Sequence, residues 1–86
     1  IDLAAYRQPD IFDLAAAYAF GLARNHPFTD GNKRTSLVVT ELFLDLNGWE
    51  LAADDLRCLV QWLGLSSGEI DQDEMAAWLR VNSARR

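Results

Sequence analysis

Residues 25–35 read NHPFTDGNKRT, and they differ in chemistry from the chain on either side. The flanks are rich in alanine, leucine and acids. This segment holds the only histidine and the only lysine of the chain, with a proline, a glycine and two asparagines. Proline fixes its own φ and pushes the preceding residue out of the α region, so a helix entering the segment is predicted to stop before Pro27, with His26 extended. Gly31 and Asn32 are predicted to open the next helix. The segment therefore reads as a loop between two helices.

Upstream, residues 9–24 are predicted to be helical. Proline fits a helix start, where its missing N–H would be unbonded anyway. Asp10 and Asp13 in the first turn and Arg24 in the last match the helix dipole. Ile11, Leu14, Ala15, Tyr18 and Leu22 recur every three or four residues and are predicted to form the buried stripe. Downstream, the second helix is predicted from near Asn32 to Asn47-Gly48, a C-terminal stop. Leu37, Val38, Leu42, Phe43, Leu44 and Leu46 occupy most of its circumference, as in a helix in the middle of a bundle. WELAA (49–53) is predicted to be a short extended piece. Asp54 or Asp55 caps a third helix, with Leu56, Leu59, Val60 and Leu63 inward. SSGEID (66–71) is a turn, and Asp71 with Glu74 forms a capping box for a last helix. Met75, Trp78 and Leu79 supply that helix's apolar face. Met75 and the tryptophans at 49, 62 and 78 are assigned to the core. Helices joined by short connections predict an all-α bundle, its central helix preceded by the loop.

Composition narrows the function. Eighty-six residues allow a single domain. No run of about 20 apolar residues or charged-then-apolar leader is present, so neither membrane insertion nor a signal peptide is expected. Ile1 is not methionine, so the natural N-terminus is expected upstream. The lone Cys58 has no internal disulfide partner, which suits a cytoplasmic location, and it reads as a small core residue. One cysteine and one histidine exclude a closed Cys/His zinc site. Net charge is −5, yet between Asp13 and Glu41 the only acid is Asp30, against Arg24, Lys33 and Arg34. Three cations are too few for a nucleic-acid groove but enough for one small anion.

The loop chemistry points the same way. The first N–H groups of a helix lack internal acceptors and favour anions. Gly31 lets a backbone approach such an anion, and Asn32 caps the helix or donates to the ligand. Lys33 and Arg34 are expected in the first turn, the unfavourable end for cations, where a bound phosphate compensates them. Asp30 pairs with one of these cations or holds Mg²⁺, which accepts one or two carboxylates plus phosphate oxygens and water. His26 titrates near neutrality and is the candidate base for a hydroxyl proton. Phe28 is read as an apolar plug. Together these are the parts that phosphoryl or nucleotidyl transfer needs.

HPFTDGNKRT resembles the signature of the Fic/Doc superfamily, H-x-F-x-[DE]-G-N-G-R-x-x-R. His26, Phe28, Asp30, Gly31, Asn32 and Arg34 match it. The alanine-rich helix before it, ELFLDLNGWEL after it and the GEID turn resemble the Doc (death-on-curing) branch. The likeness corresponds to roughly the C-terminal two thirds of a Doc-like protein, so residues 1–86 are expected to be one domain without the family's N-terminal flap. Lys33 stands where most Fic proteins have glycine and Leu37 where they have the second arginine, both as in the Doc branch. The resemblance implies that ATP lies with its γ-phosphate toward the acceptor, giving a kinase rather than an AMP-transferase. It further implies His26 and Arg34 as catalytic residues, Gly31, Asn32, Lys33 and Arg34 as phosphate-binding residues, Asp30 as the Mg²⁺ ligand, and elongation factor Tu as the protein target. A toxin–antitoxin pair follows, in which the antitoxin packs an amphipathic segment across the helices. Neither nucleic acid nor membrane is an expected partner, and pairing with another copy stays open. AMP transfer and a non-catalytic helical binding module are the alternatives.

Overall fold

Asp10 starts the first helix, α1 (Ile11–Arg24). Its Oδ1 accepts hydrogen bonds from the backbone N–H of Phe12 and Asp13 (3.0 and 2.9 Å), and Asp13 Oδ2 accepts from the Asp10 N–H at 3.0 Å. This reciprocal arrangement satisfies donors that a helix start leaves unbonded. The computed structural model describes residues 10–24 and 29–86. Pro9, assigned above to the helix start, lies outside the described residues.

The chain continues through α2 (Thr29–Leu46), β1 (Trp49–Leu51), α3 (Asp55–Ser67), α4 (Gln72–Asn82) and β2 (Ser83–Arg85). The helical class agrees with the expectation from sequence. The predicted extended piece is β1, and it pairs antiparallel with β2, which the sequence did not disclose. Trp49 faces Arg85, Glu50 faces Ala84, and Leu51 faces Ser83. The Arg85 guanidinium lies 5.3 Å from the Trp49 ring centroid. An ion pair between Arg86 and Asp45 ties the chain end to α2.

Local stop and start chemistry sets the remaining boundaries. Gly48 ends α2 with φ of 84°, in the left-handed region that glycine enters freely. Asp54 caps α3 by accepting from the Arg57 N–H at 2.8 Å. Asp71 and Glu74 form the predicted capping box: Asp71 Oδ1 accepts from the Glu74 N–H at 2.7 Å, and Glu74 Oε1 accepts from the Asp71 N–H at 3.1 Å.

The helix faces are where expectation and structure part. On α1 the buried residues are Phe12, Ala15, Ala16, Ala19 and Ala23, while Leu14 and Tyr18 are exposed. The alanine stripe lets α2 and α4 pack closely on α1, and leucines there would hold them apart. On α3 the inward face is Cys58, Gln61, Trp62, Gly64 and Leu65. Leu56, Leu59, Val60 and Leu63, predicted inward, are 44–69% exposed. Helix α1, which packs on α2, α3 and α4, is the hub of the bundle in place of the expected α2; helix α2 packs on α1, α3 and β1. It is not covered on every side, because Val38, Leu42 and Leu46 are exposed. Met75 and Leu79 are buried on α4 as expected, and Trp62 is core, 6.0 Å edge-to-face from Trp78.

Candidate functional site

Helix α2 carries the candidate residues, and its start lies earlier than predicted. It begins at Thr29 rather than near Asn32. Asp30 suits a first turn electrostatically, and one internal glycine costs only about 1 kcal/mol, so the helix extends back through Gly31. Two consequences follow. The backbone of Asp30, Gly31 and Asn32 lies within the first turn, where unbonded N–H groups gather. Lys33 and Arg34 fall in the second turn, not the first, where the dipole is weaker, so their electrostatic conflict with the helix is milder than expected. His26 and Phe28 lie outside the described residues.

Arg34 is exposed and lines a cleft between α2 and α3. The cleft has a volume of about 690 Å³ and is lined by Arg34 and Leu37 from α2 and by Asp55, Cys58, Leu59, Trp62 and Leu63 from α3. Sequence reasoning missed this cleft. Its signal was the leucine spacing on α3, which was assigned to the core.

A buried hydrogen-bond relay fixes the cleft floor. Trp62 Nε1–H donates to Ser36 Oγ at 2.8 Å, and Ser36 Oγ–H donates to the Ala19 carbonyl of α1 at 2.8 Å. Ser36 is fully buried, as is Thr40, whose hydroxyl donates to the Ser36 carbonyl at 2.7 Å. Three helices are thereby joined through the turn of α2 that follows Arg34. Cys58 is buried, and its thiol pKa is pushed up by burial and by the charges of Glu41, Asp55 and Asp54. It is a packed, protonated thiol, not a nucleophile. The Glu41 carboxyl is also raised, first by burial and then by the charge of Asp55.

Among the described residues no cluster of three or more histidine, cysteine or acidic side chains could hold a metal, and no helix is long and apolar enough to cross a membrane.

Comparison with known families identifies the segment around α1 and α2. Residues 2–44, half of the chain, match the Fic/DOC family. This chain belongs to the Fic/DOC family. Two relatives extend the match. Toxin Doc of Mycolicibacterium smegmatis is 52% identical over 46 residues, covering 54% of this chain and 35% of the relative. Protein kinase doc of Escherichia phage P1 is 38% identical over 71 residues, covering 83% of this chain and 56% of the relative. The aligned part of the chain thus spans between about a third and just over half of the relatives' lengths. The second match reaches well beyond α2, so the elements forming the other wall of the cleft share in the likeness.

Proposed function

We propose that this Fic/DOC chain belongs to a Doc-like toxin that moves the γ-phosphate of ATP to a serine or threonine hydroxyl of a protein target. The observation carrying this reading is Arg34 in the lining of the α2–α3 cleft, on the helix whose first turns hold Asp30, Gly31, Asn32 and Lys33. Helix-start N–H groups with a nearby guanidinium fit an anion of several charges. Support also comes from the relatives, one named a toxin and the other a protein kinase.

The assignments are as follows. His26 takes the proton from the acceptor hydroxyl as its oxygen bonds to the γ-phosphorus, and the bond to the β–γ bridging oxygen breaks, releasing ADP. Gly31 and Asn32 hold phosphate oxygens with N–H groups. Lys33 and Arg34 offset charge growing on the transferred group. Asp30 would hold Mg²⁺, which supplies charge neutralisation on the phosphates. Lys33 replaces the glycine that lets phosphates lie against the backbone in AMP-transferring relatives, which favours transfer from the γ position. By the same resemblance the target is elongation factor Tu, the outcome is translational arrest, and an antitoxin restrains the enzyme through an amphipathic segment.

The test is transfer of label from ATP carrying it at either the α- or the γ-phosphate, with bacterial lysate as acceptor. Label from the γ position is expected. Label from the α position refutes phosphate transfer and supports AMP transfer. His26→Ala is expected to lower the rate by about 10²–10⁴-fold, the range of a lost general base.

A further inference from the structure

We infer that Ser36 is a positioning residue for the proposed phosphate site: its buried hydroxyl fixes the rotation of α2 about its own axis and, through it, the direction in which Arg34 presents its guanidinium. The inference rests on the reading of Arg34 as a phosphate-binding residue. Ser36 is the first described side chain of α2 to be buried, and Thr40 and Leu44 follow it at four-residue spacing on the same face. Arg34 stands two residues earlier, about 200° round the helix, and is exposed.

The three buried residues differ in what they can hold. Leu44 packs by apolar contact, which is non-directional and resists withdrawal of the helix more than turning. The Thr40 hydroxyl donates to the Ser36 carbonyl of its own helix, so that bond ties α2 to no neighbour. Ser36 reaches two other helices at once: it donates to the Ala19 carbonyl of α1 and accepts from Trp62 Nε1–H of α3, both at 2.8 Å. Hydrogen bonds are directional, and two that point to different helices leave α2 little freedom to turn. The Ala19 carbonyl belongs to the helix that ends two residues before His26, so the same bond relates α2 to the approach to the candidate base. Among the described residues Arg34 has no ion-pair partner, so its direction is set by its helix rather than by a neighbouring carboxylate. A guanidinium grips phosphate through two parallel N–H bonds, and that grip depends on direction. A small turn of α2 would cost little packing but would cost phosphate contacts.

The experiment measures binding of inorganic tripolyphosphate–Mg²⁺ by calorimetry, at a temperature where urea unfolding shows each variant to be folded. Arg34→Ala is expected to weaken binding by about tenfold or more, the effect of losing a charged hydrogen bond. Ser36→Ala is expected to weaken it by about three- to tenfold, as a misdirected guanidinium keeps part of that contact. Thr40→Val removes a buried hydroxyl from the same face but no bond to another helix, and is expected to stay within about twofold of wild type. In the Arg34→Ala background, Ser36→Ala is expected to add no more than about twofold, which a merely structural role of Ser36 does not predict. Ser36→Ala at wild-type affinity overturns the inference. So does an equal loss from Thr40→Val, or a Ser36→Ala loss that persists in full without Arg34. Should Ser36→Ala fail to fold, Ser36→Cys, which fills similar space with a weaker donor and acceptor, takes its place in each comparison, and wild-type affinity there overturns the inference equally. In all these cases the phosphate site stands, provided that Arg34→Ala weakens binding. If Arg34→Ala binds as wild type does, or wild type does not bind, the phosphate reading falls and the inference with it.

Discussion

Replacing Ser36 with alanine tests the relay that joins α1, α2 and α3. The Ser36 hydroxyl accepts from Trp62 Nε1–H and donates to the Ala19 carbonyl, both at 2.8 Å in fully buried surroundings. Alanine deletes a single oxygen, so the volume change is small and packing contributes little. The indole N–H is left without an acceptor, at a cost of about 1–3 kcal/mol. The Ala19 carbonyl loses less, because it stays in the hydrogen-bond ladder of α1. A destabilisation of about 2 kcal/mol is therefore expected, which in a chain of this size lowers the melting temperature by roughly 8–16 °C. Thermal and urea unfolding followed by far-ultraviolet circular dichroism reads this directly. A double-mutant cycle with Trp62→Phe separates the hydrogen bond from the packing of the ring, and a coupling of about 1 kcal/mol is expected. A Ser36→Ala loss below about 0.5 kcal/mol, or no coupling in the cycle, would refute the relay as a stabilising contact.

Two further perturbations address separate parts of the fold. Gly48→Ala meets no atom within 4 Å, so its cost is conformational alone; holding alanine at φ of 84° is expected to cost about 1–2 kcal/mol in urea unfolding. Glu41 has a folded-state pKa above its usual 4.5, caused first by burial and then by Asp55, so the folded state binds this proton more tightly than the unfolded chain does. Its unfavourable contribution is thus absent below 4.5 and grows as pH rises through the raised value. Glu41→Gln is expected to raise the melting temperature at neutral pH and to have no effect in acid; the opposite trend would refute a raised Glu41 pKa, from burial first and Asp55 second.

The features legible in the sequence are those decided within one turn of chain. The Asp71–Glu74 capping box, the Asp54 cap and the Gly48 stop depend on side chains bonding their own neighbours, and each stands where it was expected. The gathering of unusual residues from Asp30 to Arg34 is a property of the sequence alone. The start of α2 was not legible there. Thr29 and Asp30 are as compatible with a first helical turn as with a loop, and the sequence around Gly31 does not choose between them. Strand β2 was invisible because Ser83, Ala84 and Arg85 have little intrinsic strand preference. They are extended because Trp49, Glu50 and Leu51 offer an open edge.

The helix faces were misread for a physical reason that also bears on function. Hydrophobic periodicity finds a stripe but does not say what covers it. On α3, the spacing of Leu56, Leu59, Val60 and Leu63 is as regular as that of Cys58, Gln61, Trp62 and Leu65. The second set is inside because its polar atoms find partners there: Trp62 N–H reaches Ser36, and Gln61 Nε2–H lies 3.4 Å from Met75 Sδ. On α1, the alanine face wins over the leucine face because α2 must come close enough for Ser36 to reach the Ala19 carbonyl. On these faces burial goes with partners for polar groups as well as with size, since Trp62, Leu44, Leu65, Met75 and Leu79 are also fully buried. Leu14 and Tyr18 of α1 and Leu56, Leu59, Val60 and Leu63 of α3 are left at the surface, and Leu59 and Leu63 become cleft wall. Ser36 holds Trp62 as the floor of that cleft and anchors the helix turn just after Arg34. One buried hydroxyl therefore sets both the packing of three helices and the turn on which the proposed phosphate site is built.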